Sequence, residues 1–105
     1  MDVFLAATDT LFADPNIARD ATWRVGGVGA GATVRVITRR PDQVVGFGDS
    51  RAILPTMLID VRRSEVPSAA AGDTVEIEGD TFEIIATPVV DSLRLVWTCE
   101  AAPPA

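Results

Sequence analysis

Apolar residues in this chain follow two periods. Over residues 2–13, Phe4, Ala7, Leu11 and Phe12 recur every three to four positions, which predicts a short amphipathic helix with Asp2 as a possible N-cap. Asp14-Pro15-Asn16 ends it, and Asp14 followed by Pro15 can start one more turn through Ile17 and Ala18 to about Asp20. Beyond that point the period is two. An extended stretch at residues 21–25 leads into Gly26-Gly27-Val28-Gly29-Ala30-Gly31-Ala32. Residues 33–40 then alternate, with Val34, Val36 and Thr38 on one face and Arg35, Ile37 and Arg39 on the other.

Pro41-Asp42 breaks the pattern, and residues 43–51 read as a loop or irregular strand end in which Gly46 and Gly48 flank Phe47. Residues 56–63 resume alternation, with Met57, Ile59 and Val61 inward. A loop at residues 66–73 follows. Residues 74–78 and 81–86 predict a hairpin: Val75, Ile77, Phe82 and Ile84 face in, and Gly79-Asp80 suits a type II′ turn. After Pro88 and Asp91, residues 92–100 predict a last strand, with Leu93, Leu95, Trp97 and Cys99 inward and Arg94, Thr98 and Glu100 outward. Residues 101–105 read as a frayed tail. About five or six short strands after one helix predict a mainly β protein. The expected fold is a small antiparallel barrel or sandwich with a short N-terminal helix and long flexible loops. One domain is expected over 1–105: a helical segment at 1–20, the barrel at 21–100, and the tail. A parallel α/β fold is disfavoured, because no helix-length segment separates the strands.

Composition narrows the chemistry. The chain has 105 residues and a net charge of −6, with 15 acidic and 9 basic residues. Every basic residue is Arg; Lys, His and Tyr are absent. The commonest general base and metal ligand is therefore missing, as is the lysine of a phosphate loop. Cys99 is the sole cysteine, which excludes an internal disulfide and a cysteine-rich zinc site. The acidic balance argues against capture of a nucleic-acid backbone. No basic leader or membrane-length apolar run is evident, so an intracellular protein is expected. These features favour a binding or assembly module over an enzyme, with no catalytic residues, metal or cofactor.

Individual motifs give modest signals. The segment from Gly26 to Thr33 fits the frame of a phosphate loop, but Ala32 stands where the motif needs Lys, and a strand follows instead of a helix. A strand connection is the simpler reading, and a nucleotide-binding module is the remaining alternative of a different class. Asp60, Glu76, Glu78 and Glu83 fall on outward strand faces. Asp42, Asp49 and Asp73 fall at turns, where carboxylates cap backbone. The doublets Arg39-Arg40 and Arg62-Arg63 are candidates for salt bridges between subunits. Val44, Val45 and Phe47 either tuck onto the core or anchor an interface. The candidate interface set is thus Gly26, Gly27, Gly29, Gly31, Arg39, Arg40, Val44, Val45, Phe47, Arg62 and Arg63. Trp23, Trp97 and Cys99 read as core.

The order of these segments carries a resemblance over nearly the whole chain. A helix with LFADPNIARDATWR precedes the glycine-rich link, and then come VRVITRRPDQVVGFGDSR, LIDVRRSEVP, GDTVEIEGDTFEII and LRLVWTCE. This resembles the lambda-type head–tail attachment (stopper) family of tailed phages, with relatives in prophages and gene transfer agents. The resemblance implies a β-barrel with a helix at one edge and no catalysis or cofactor. It implies a self-associated ring, expected to be hexameric, with the portal or adaptor on the head side and a tail terminator or tail tube protein on the other. The ring would sit in the virion neck after assembly in the bacterial cytoplasm, with DNA passing through it without sequence-specific binding and no membrane involved. A tail terminator or tail-completion ring is the alternative within the same class. The glycine-rich link and residues 41–51 would be the loops that order on assembly.

Overall fold

A computed structural model describes residues 3–40 and 56–104. The chain runs α1 (Val3–Ala13), β1 (Arg19–Arg24), β2 (Ala32–Arg39), β3 (Met57–Arg62), β4 (Thr74–Ile77), β5 (Asp80–Ile84), β6 (Val89–Val90) and β7 (Val96–Ala102). All pairings are antiparallel, in the order β3-β2-β1-β4-β5-β7-β6, and β3 also pairs with β7. That last pairing closes six strands into a barrel, with β6 attached outside on β7. Closure leaves no free edge among those six strands.

The alternation in the chain sorts side chains as its period requires. Val34 and Val36 on β2, Ile59 and Val61 on β3, Val75 on β4 and Ile84 on β5 are all at most 2% exposed. Arg35, Asp60 and Glu76, their polar neighbours, stay on the outer surface. Burying each of those aliphatic side chains contributes about 1.5–3 kcal/mol. Cys99 is fully buried among them, and Trp23 closes one end of the core at 3% exposure. Trp97 is half-buried against the core, its indole Nε1 donating to Val66 O at 2.8 Å.

Four local expectations are corrected. The β4–β5 turn is Glu78-Gly79, one residue earlier than Gly79-Asp80. Both central residues have positive φ, 52° and 89°, the signature of type I′ and not II′. The register Ile77↔Asp80 leaves Asp80 paired in β5, which no alternation count could decide. The last strand begins at Val96. Residues 91–95 are a turn in which Leu93 is 49% exposed, and this turn joins β7 to the unforeseen β6. The supposed tail does not fray at its start: Ala101 is fully buried and Ala102 pairs with Glu83. Small side chains there let β7 fit between β3 and β5, so composition hid a strand. The helical stripe is the fourth correction. Only Phe12 is buried, while Phe4 and Leu11 are 56% and 49% exposed, because α1 lies on the barrel through its C-terminal end. Asp2, Asp42, Val44, Val45, Phe47, Asp49 and the expected 41–51 loop lie outside the described residues.

Candidate interaction surfaces

The glycine-rich segment is the β1–β2 hairpin connection. It starts with a tight turn in which Val28 N donates to Val25 O at 3.4 Å, and Gly26, Gly27, Gly29 and Gly31 all have positive φ. Gly31 is the most constrained: a Cβ there would lie 2.7 Å from Thr22 Cγ2 and 2.9 Å from Trp23 O. A strand follows directly, so no helix N-terminus faces this loop. Its backbone is instead tied to Asp73. That carboxylate is 2% exposed and accepts three N–H groups: Gly26 N at 2.9 Å, Trp23 Nε1 at 3.0 Å and Ala70 N at 3.0 Å. Asp73 does cap backbone at a turn, as its position suggested. Its role as the buried link between the hairpin, Trp23 and the 70–73 turn was missed. The only sequence signal was an Asp entering a strand after Gly72.

The two arginine doublets do not converge. β2 and β3 run antiparallel, so Arg39-Arg40 and Arg62-Arg63 lie at opposite ends of the pair. Arg39 Nη2 donates to both Asp60 oxygens at 2.9 and 3.2 Å, and Thr98 Oγ1 donates to Asp60 from the next strand. Arg62 donates to Asp9 at 3.0 Å and Glu65 at 2.8 Å, and its guanidinium lies 5.2 Å from the Phe12 ring centroid. Burial alone would lower the Arg62 pKa; the hydrogen bonds and charges of Glu65 and Asp9 outweigh it and raise the value. Arg35, not singled out beforehand, is the second clamp on the helix. It donates to Phe12 O at 2.8 Å, Ala18 O at 3.1 Å and Asp20 at 3.0 Å. Arg63 lies 5.9 Å from the Trp97 ring centroid and donates to Arg94 O at 3.1 Å.

Two concave regions mark the barrel ends. At one end, Arg19, Thr38, Arg40, Glu78 and Asp80 rim a polar mouth of about 250 Å³. At the other, Trp23, Val25, Ala32, Val34, Val66 and Pro67 line an apolar cleft of about 330 Å³, with Glu65 and Ser68 at its edge. Nucleophilic chemistry finds little here. Burial, followed by the charges of Asp60 and Asp73, pushes the Cys99 thiol up to about 12, so it stays protonated at neutral pH. Among the described residues no group of three or more His, Cys, Asp or Glu converges as a metal site, and no helix is long and apolar enough to cross a membrane.

A small closed barrel with clamped turns is a scaffold that hosts many functions. The comparison with protein families gives the particular one. Over residues 1–101 the chain matches the family model of the phage head–tail attachment protein, and it belongs to that family. It is therefore a structural component of the phage virion, with a role in joining head to tail. A search of curated proteins found no match.

Proposed function

We propose that the chain is the stopper of the phage neck. Copies associate into a ring between the portal or adaptor complex of a filled head and the first ring of the tail. The ring retains packaged DNA and later lets it pass. The family match over residues 1–101 carries this reading. Two features support it. The net charge of −6 suits a channel wall past which DNA must slide, since like charges do not grip. The small closed barrel also suits a repeating wedge, because each of its six strands has a paired neighbour on both sides and the outer faces are left for neighbouring subunits. The glycine hairpin at Gly26, Gly27, Gly29 and Gly31 and the arginines Arg39, Arg40, Arg62 and Arg63 remain the proposed contact elements. No substrate, cofactor or nucleotide enters the function.

Deletion of the gene is the direct test. Electron micrographs are expected to show heads that fill and then leak DNA, with complete but separate tails. Normal tailed particles after deletion would reject a neck role. Tails of uncontrolled length, with intact heads, would identify the tail-terminator position instead.

A further inference from the structure

Three arginines crowd one small pocket where the end of β3 meets α1 and the turn before β7. Arg62, Arg63, Ser64, Arg94 and Leu95 line it together with Leu5 and Thr8 of α1. Elsewhere in this acidic chain arginine meets carboxylate: Arg19, Arg24, Arg35 and Arg39 are each ion-paired. Arg62 is too, with Asp9 and Glu65. Arg63 and Arg94 differ, because among the described residues neither has a carboxylate within ion-pair distance. The turn's own carboxylate, Asp91, faces backbone instead: its Oδ1 accepts Leu95 N at 2.8 Å and Val96 N at 3.3 Å.

These two charges are held in place by contacts that carry no negative charge. Arg63 N donates to Leu95 O at 2.9 Å, its Nη1 donates to Arg94 O at 3.1 Å, and its guanidinium lies 5.9 Å from the Trp97 ring centroid. Arg94 keeps a φ of 59°, where glycine would sit at far less steric cost, and strain of this kind gathers at functional positions. Behind the pocket, Nε of Arg62 and Nε of Arg63 are buried donors with no acceptor among the described residues. Buried donors are almost always paired, so these two leave a positive potential that nothing local offsets. The hydroxyls of Thr8 and Ser64 also bond to no described residue. We infer that the pocket binds one phosphate-type oxyanion. Arg63 Nη2 and the Arg94 guanidinium are its charged donors, and the Thr8 and Ser64 hydroxyls its neutral ones. The cavity of about 100 Å³ equals the liquid volume of about three waters, room for a single tetrahedral oxyanion and not for a nucleotide. A bound anion would tie α1, the end of β3 and the turn before β7 to one another. The site stands apart from the neck reading and does not depend on it.

Nuclear magnetic resonance on the full, nitrogen-labelled chain tests it, with sodium phosphate replacing sodium chloride at constant ionic strength. Saturable shifts are expected at the Arg63 Nε–H and at the Ser64 and Leu95 amides, with the Arg19 and Arg24 Nε–H signals unmoved. Arg94→Gln removes an exposed charge and keeps the backbone, so its melting temperature is expected to hold while phosphate binding weakens at least about tenfold. Arg40→Gln removes another exposed arginine with no ion pair, at the opposite end of the β2–β3 pair, and is expected to leave binding unchanged. Shifts that never saturate, or equal losses from the two variants, would reduce the effect to general surface charge and overturn the site. Equal binding of sodium acetate would overturn it as a phosphate site, since the pocket would then suit any carboxylate. A short DNA duplex separates the two sources of this chemistry. Competition with phosphate for the same signals assigns a backbone phosphate as the ligand, and phosphate shifts that the duplex leaves untouched assign the free anion. None of these results touches the deletion phenotype, so the pocket and the neck role fail separately.

Discussion

Two buried residues carry chemistry that the surface does not show. Asp73 satisfies three donors at once, so Asp73→Ala leaves Trp23 Nε1, Gly26 N and Ala70 N without an acceptor in a buried site. The expected loss is about 3 kcal/mol or more in urea unfolding, with Asp73→Asn costing less because its amide oxygen still accepts. Cys99 gives a pH signature. Its folded pKa of about 12 lies above the unfolded value, so the folded state holds a proton that the unfolded state releases. Stability from this group is fully present below about pH 9 and declines as pH rises from there towards 12, at up to about 1.4 kcal/mol per pH unit. Cys99→Ala is expected to flatten that part of the stability–pH curve. Cys99 read as core from the chain alone, since its alternation put it inward. Asp73 did not, because nothing in a linear sequence brings Trp23 and Gly26 to the same carboxylate.

At the level of elements, glycines separate by what surrounds them. Gly79 needs its positive φ for the type I′ turn, but nothing lies within 4 Å of where an added Cβ would sit. Gly79→Ala should therefore cost only the backbone strain, about 1–2 kcal/mol. Gly31 has the same backbone demand plus a backbone oxygen at 2.9 Å, so Gly31→Ala should cost distinctly more. Parallel urea titrations rank the two, and equal losses would show that the Gly31 surroundings yield. The strands were legible wherever one face was apolar and the other polar, as in β2, β3 and β4. They were illegible where side chains were small or few: β6 spans only Val89–Val90, and the end of β7 is alanine. The helix was legible as a helix, but its docking was not, since Arg35 and Arg62 reach it from strands.

For the whole molecule, closure depends on a narrow seam. β3 and β7 pair over six residues, but the β5–β7 ladder is short: Glu83↔Ala102 and Ile84↔Ala101, with Ile85 N donating to Glu100 O at 2.9 Å just beyond it. Ending the chain after Glu100 removes both pairs and opens the barrel between β5 and β7. The shortened protein is expected to lose its single cooperative unfolding transition and to bind a hydrophobic dye before it melts; a sharp, unshifted transition would show that the seam is dispensable. The same closure explains why this acidic chain presents contacts through turns and clefts. With the edges of the six strands satisfied, a neighbour meets side chains and hairpin tips instead of adding a strand.

Sequence by itself determined the period-two strands, the short N-terminal helix, the absence of lysine and histidine chemistry, and the family, because each is a local or linear property. Tertiary structure decided the rest. The register of the β4–β5 turn, the burial of Ala101, the three-donor grip of Asp73 and the separation of the arginine doublets all depend on which strands become neighbours. Pairing across the chain sets those positions, and no count along it contains them.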